Sequence, residues 1–104
     1  MIQRYLEQPF LLNDLKFDLR LYVLLAGVDP LRIFLYNDGL ARFATQKYRQ
    51  DIRDLGNTFI HLTNYSINKH SKDFIFNKNS NDVDIGHKQS VKAVFKVTKV
   101  NLII

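Results

Sequence analysis

Lys16, Asp18 and Arg20 stand two residues apart in a stretch that is otherwise apolar. On an extended chain the side chains alternate, so these three and Tyr22 share one face, while Phe17, Leu19, Leu21, Val23 and Leu25 share the other. A plus, minus, plus row serves either as a solvated strand face stitched by cross-strand ion pairs, or as the wall of a cleft that takes a phosphate-bearing ligand and its metal. Arg42, in Ala41-Arg42-Phe43-Ala44-Thr45, offers a rigid planar fork suited to carboxylate or phosphate oxygens, and equally to a cross-strand salt bridge. From His61 to Lys69 the chain concentrates hydrogen-bonding side chains, Thr63, Asn64, Tyr65 and Ser66 among them, in a frame too apolar for an ordinary loop. Such groups need partners, found in a self-satisfied polar turn or in a ligand. Gln3-Arg4-Tyr5-Leu6 reads as an amphipathic edge strand.

The elements that must position these residues are mostly strands. Ile2 to Leu6 is expected as a short strand, and Gln8-Pro9 as a turn into a second extended piece over Phe10 to Leu12. Asn13-Asp14 marks a tight turn into the longest strand, Phe17 to Leu25, which Gly27 and Asp29-Pro30 end. Leu31 to Tyr36 follows, then Asn37-Asp38-Gly39 as a hairpin signal and Leu40 to Thr45 as the return strand, completing an antiparallel meander. Arg49 to Asn57 is a connection, either a short helix or a surface loop, and Thr58 to Ile67 is expected to be extended or irregular. Asn68 to Asp84 is polar and reads as a mobile loop. From His87 onward Val91, Val94, Phe95 and Thr98 recur at helical spacing, while the density of Val and Ile argues equally for a strand.

Composition narrows the partners. The chain has 104 residues, 46% of them hydrophobic, enough for one modest core. Its formal charge of +5 selects anionic partners such as nucleic acid, an acidic protein tail or a nucleotide. The basic residues are scattered and the aromatics fall at strand-like positions, which disfavours a nucleic-acid stacking platform. With no cysteine there is neither disulfide nor thiolate chemistry, and His61, His70 and His87 lack zinc-site spacing. No run approaches the roughly 18 to 20 apolar residues of a membrane span, and Met1 to Tyr5 lacks the apolar core of a signal peptide. A soluble intracellular protein, monomeric and without membrane or nucleic-acid partners, is the expectation.

Taken in order, Gln-Arg-Tyr-Leu from Gln3, Lys-Phe-Asp-Leu-Arg from Lys16, Pro-Leu-Arg-Ile-Phe-Leu-Tyr-Asn-Asp-Gly-Leu-Ala-Arg-Phe-Ala-Thr from Pro30 and His-Leu-Thr-Asn-Tyr-Ser-Ile-Asn-Lys-His from His61 closely resemble the tubulin–tyrosine ligase-like family, over residues 2–75. Asp29 to Phe34 and Thr63 to His70 resemble its glutamate-adding, polyglutamylase branch more than the founding tyrosine ligase. The resemblance implies a partial ATP-grasp fold, α+β, mainly an antiparallel meander with short helices and a long polar loop. It implies an ATP-dependent ligase that adds free L-glutamate to side-chain carboxylates of the acidic C-terminal tails of tubulin in microtubules, through an acylphosphate. A tyrosine- or glycine-adding member and a non-catalytic basic remnant that binds microtubules are the alternatives. By resemblance, Gln3, Arg4, Tyr5 and Leu6 form the hinge beside the adenine. Lys16 and Asp18, with Phe17 between them, contact the ribose and phosphate side, and Thr63 and Asn64 add nucleotide contacts. Arg42 holds the amino acid or the reacting carboxylate, Tyr65 and Ser66 line the same acceptor pocket, and Arg20 either supports Asp18, the favoured role, or reaches the ligand itself. The family's Gly-Ser-Lys-Arg-Lys run is matched by Gly86-His87-Lys88 only at the glycine and the first lysine, which makes Lys88 an amino-acid contact. Residues 71–86 are expected as the mobile loop and 93–104 as a divergent tail. The magnesium ligands are expected outside this chain, so that it reads as a central slice of a ligase with little or no activity of its own. The resemblance places it in the cytoplasm on the cytoskeleton, with cilium or basal body as the narrower site.

Overall fold

Asn13 and Asp14 take φ values of 52° and 63°, the left-handed region that their short polar side chains tolerate, and so reverse the chain within two residues. This turn joins β1 (Leu11–Leu12) to β2 (Leu15–Val28), pairing Leu12 with Leu15. The computed structural model describes residues 1–76 and 86–99. β2 turns at Asp29-Pro30 directly into β3 (Leu31–Phe43), with Val28 opposite Leu31, and β3 pairs along Leu40, Ala41 and Arg42 with β4 (Lys88–Ser90). The architecture is α+β: one antiparallel sheet in the order β1-β2-β3-β4, with short helices.

The strand signals from Phe10 to Phe43 hold, but their punctuation differs. Asn37-Asp38-Gly39 does not reverse the chain, and Leu40 to Thr45 is not a separate return strand, since residues 31–43 run as one strand. Leu21 faces Gly39 and Val23 faces Leu35, so Tyr36, Asn37 and Asp38 stand against Tyr22 alone. The permissive residues thus serve a bulge, which bends the strand without ending it. Ile2 to Leu6 is not a strand either; it is an exposed irregular segment, with no neighbouring strand to satisfy its backbone among the described residues.

A 3₁₀ turn over Ile52–Asp54 follows, N-capped by Asp51, whose carboxylate accepts from the Arg53 amide. Thr58 to Ile67, expected to be extended or irregular, instead forms two single turns, α1 (Thr58–His61) and α2 (Tyr65–Asn68). Asn57 caps α1 by accepting from Phe59 N. The undecided C-terminal stretch is both a strand and a helix: β4, then α3 (Val91–Thr98), with Ser90 Oγ accepting from Ala93 N at the junction. Ser90 ends the strand because its side chain offers the first turn a better acceptor than the ladder does. Of the polar stretch expected to be mobile and of the expected tail, residues 77–85 and 100–104 lie outside the described residues, while residues 93–98 of that tail belong to α3.

The core lies on one face of the sheet. Ala41, Phe43 and Val94 are buried together, packed by Leu12, Leu15, Phe17 and Leu19, with the Phe17 and Phe43 rings stacked at 5.4 Å. Alternation therefore turns Lys16, Asp18 and Arg42 to the opposite face. From the bulge onward the sequence alternation has no counterpart in burial: Leu21, at its edge, and Val23 and Leu25 beyond it, all on the apolar face of the pattern, are 42%, 63% and 55% exposed. Here β2 and β3 form a two-stranded ribbon whose two faces are both open among the described residues.

Candidate functional site

On the face turned away from the core, register brings three charged residues into line: Asp18 sits opposite Arg42, and Arg42 opposite Lys88. Arg42 donates from Nε to Asp18 Oδ1 at 3.0 Å and from Nη2 to Oδ2 at 2.5 Å, a two-pronged pair with both side chains partly open to solvent. The hydrogen bond to Asp18 raises the already high pKa of Arg42 further, so the guanidinium is a permanent cation. Lys88 Nζ lies 5.6 Å from the centre of the Tyr65 ring, and Lys69 Nζ lies 6.0 Å from it. Two ammonium groups on one aromatic ring concentrate positive charge beside the Asp18–Arg42 pair. Tyr65, Lys88, Asp38, Phe74 and Ser90 line a cleft of about 480 Å³, within the range that small ligands occupy. Arg42 is not part of that lining.

A second polar cluster lies at the other end of the row. Lys16 Nζ donates to Tyr5 Oη at 3.3 Å and stands 4.7 Å from the centre of that ring. Tyr5 Oη is 2.8 Å from His61 Nδ1, and His61 Nε2 is 3.0 Å from the Asp54 carbonyl. A carbonyl only accepts, so in the neutral ring the proton is on Nε2 and the Tyr5 hydroxyl donates to Nδ1. Tyr48 donates to the Glu7 carbonyl at 2.7 Å, and burial pushes its phenol up to about 12, with the neighbouring Tyr5 hydroxyl adding to the shift. Tyr5, Tyr48 and His61 line a second cleft, of about 540 Å³.

The candidate residues therefore divide. Asp18, Arg42, Lys88 and Tyr65 come together, and Tyr5 joins Lys16. Gln3, Arg4 and Leu6 lie in the exposed N-terminal segment, and no hydrogen bond or ion pair ties their side chains to other described residues. The Phe17 side chain points into the core against Phe43, so only its backbone faces the row. Arg20, expected to support Asp18, is exposed and pairs across the ladder with Leu40; Arg42 takes that role because cross-strand register, not adjacency along one strand, brings a cation onto the carboxylate. Thr63 and Asn64 sit in the short link between α1 and α2, Asn64 as the N-cap of α2 without a side-chain cap bond, and Ser66 is exposed on α2.

Sequence reasoning passed over Asn68, which is 1% exposed and holds this link in place. Its Oδ1 accepts from Thr45 N at 3.1 Å and Thr45 Oγ1 at 3.0 Å, and its Nδ2 donates to the carbonyls of Leu62 at 2.8 Å and Asn64 at 3.1 Å. The available signal was an amide in an apolar frame, whose partners are not visible along the chain. No group of three or more His, Cys, Asp or Glu able to hold a metal occurs among the described residues.

A family model described as the tubulin-tyrosine ligase family matches residues 1–101. The chain is 54% identical over 98 residues to a probable beta-tubulin polyglutamylase of Tetrahymena thermophila, covering 93% of the chain and 8% of that protein. It is 46% identical over 99 residues to a human tubulin polyglutamylase, covering 95% and 8%, and 47% identical over 95 residues to a human tubulin monoglutamylase, covering 91% and 8%. The chain thus spans about 8% of the length of these curated relatives.

Proposed function

The chain belongs to the tubulin-tyrosine ligase family, and on that premise we propose that it forms part of an ATP-grasp ligase that adds glutamate to side-chain carboxylates of tubulin tails. The observation that carries this reading is the cross-strand row Asp18, Arg42, Lys88, which sets cations beside the cluster of Lys16 and Tyr5 on the open face of the sheet. Arg42 suits a carboxylate because its fork presents parallel donors, and Lys88 with Tyr65 lines a cleft of a size that accepts an amino acid. Lys16, Thr63 and Asn64 supply an ammonium, a hydroxyl and an amide of the kinds that hold phosphate and ribose oxygens. By the same reading Gln3, Arg4, Tyr5 and Leu6 serve the adenine side, the backbone of Phe17 the ribose and phosphate side with Lys16, and Tyr65 and Ser66 the acceptor side.

Bound ATP would supply the phosphoryl group that activates the acceptor carboxylate, with ADP as the leaving group, so that the glutamate amine could then attack the activated carbonyl carbon and the amide form with loss of phosphate and a proton. The residues of this chain bind and orient: Arg42 holds a carboxylate once Asp18 shares or yields its donors, and Lys16 faces negative charge. Magnesium finds no fitting donor set among the described residues. Asp18 is one carboxylate and is already engaged by Arg42, so no metal step falls on these residues. The acidity of tubulin tails complements the +5 charge, which favours encounter with the microtubule in the cytoplasm. No helix among the described residues is long and apolar enough to cross a membrane.

Calorimetric titration of the chain with ATP is the test. Binding that disappears in Lys16→Ala supports the reading, and equal heats in both proteins would refute it. The chain alone is expected to transfer little or no glutamate to tubulin, because one part of a cleft cannot clamp both reactants.

A further inference from the structure

Asn68 uses its whole hydrogen-bonding capacity. Its two lone pairs take the amide and hydroxyl of Thr45, and its two N–H groups go to the carbonyls of Leu62 and Asn64. The partners fix which end of the carboxamide is which, since a backbone N–H only donates and a carbonyl only accepts. The two carbonyls flank Thr63. Thr45 lies three residues beyond Arg42, where Phe43 N donates to the His87 carbonyl and Ala44 N to the Lys16 carbonyl. One buried side chain therefore ties the link carrying Thr63 and Asn64 to the end of the strand carrying Arg42, beside the backbone of Lys16. A buried amide this fully engaged holds one geometry, because displacement of the link breaks four hydrogen bonds at once and leaves the Asn68 carboxamide buried without partners, even though Thr45 N keeps the Phe59 carbonyl and the Asn64 carbonyl keeps its helical donors.

We propose that Asn68 is a positioning residue that sets Thr63 and Asn64 relative to the strand carrying Arg42, so that nucleotide and acceptor contacts converge on one face. The assignment rests on the ligase reading for its nucleotide consequence, and on the four hydrogen bonds for its geometry. It names no contact between Asn68 and a ligand; the residue acts through the backbone on either side of Thr63.

The test uses the full 104-residue chain. Asn68→Asp keeps the acceptor for Thr45 and removes both donors. Thr45→Val removes only the hydroxyl bond, and Thr45→Ser retains it. Amide resonances are followed by NMR, and ATP affinity is measured well below each protein's unfolding midpoint. The expected result is that Asn68→Asp moves the Thr63 and Asn64 amide signals while those of Leu19, Ala41 and Val94 stay in place. ATP binding should weaken by roughly ten-fold or more, about 1.4 kcal/mol; Thr45→Val should be intermediate and Thr45→Ser close to the parent. A residue that merely stabilised the fold would lower the midpoint and leave the affinity of the folded protein unchanged, and that outcome overturns the proposal. Unmoved Thr63 and Asn64 signals overturn it too. If the parent chain binds no ATP, the ligase reading fails for this chain, and the amide signals alone decide the positioning role. Should Asn68→Asp fail to fold, the contrast between Thr45→Val and Thr45→Ser decides the same question.

Discussion

The pairing of Asp18 with Arg42 shows what a single residue can carry from sequence to site. Each was recognisable as a charged side chain on an extended segment, but only register decides that they meet, and register is a property of two strands. Arg20 was the nearer cation along the chain and is the wrong one. Tyr48 makes the same point for environment. Nothing in its neighbours marks it as special, yet burial together with the Tyr5 contact raises its phenol to about 12. An unfolded tyrosine ionises near its ordinary value of about 10. Between these limits the unfolded chain loses a proton that the folded chain keeps, so the stability Tyr48 contributes is complete below pH 10 and is lost as the pH rises towards 12. Phenolate absorbance should show one tyrosine ionising last, near pH 12, and Tyr48→Phe should remove that late step.

At the scale of elements, local turn chemistry was legible and long-range pairing was not. Asn13-Asp14 forms the turn its residue types predict, whereas Asn37-Asp38-Gly39, with a stronger hairpin signature, bulges within β3 because Asp29-Pro30 has already reversed the chain. Gly39 is required there by close approach. A Cβ would overlap the Arg20 carbonyl oxygen and stand 2.9 Å from Val91 Cγ2 on α3. Gly39→Ala should destabilise the chain by about 1–3 kcal/mol in urea denaturation, since both neighbours belong to paired elements that cannot move independently. His87 governs the approach to β4: Ile75 N donates to its Nδ1 at 3.0 Å, and its own amide donates to the Ile75 carbonyl at 3.2 Å. The first bond needs an unprotonated Nδ1. Burial lowers the His87 pKa below its ordinary 6.5, with Asp73 opposing. The stability this contributes is therefore complete above pH 6.5 and is lost as the pH falls through the lower, folded value. Denaturation midpoints should decline from pH 7 to pH 5 in the parent, and the decline should be shallower in His87→Gln.

At the scale of the whole molecule, the sheet has two unlike halves. Near the turn at Asn13-Asp14 one face packs on α3 and the other bears the candidate site, so the alternation of apolar and polar residues read from the sequence matches burial. Past the bulge, Val23 to Val28 and Leu31 to Tyr36 are apolar on both faces apart from Arg32, close to the composition of strands covered from both sides, and yet both faces are open among the described residues. Sequence pattern reports the surroundings a segment is suited to, and burial reports those present in this chain; the ribbon is where the two separate. Stability should follow the second. Leu24 and Phe34, paired across the ribbon, are 62% and 58% exposed, so Leu24→Gln or Phe34→Gln should change unfolding free energy by no more than about 0.5 kcal/mol. Phe43, 5% exposed and stacked on Phe17, should cost about 3–5 kcal/mol as Phe43→Ala. Urea denaturation of the three variants separates the cases, and a large loss from either ribbon substitution would mean that the ribbon is covered in solution, with self-association the first cause to measure by sedimentation.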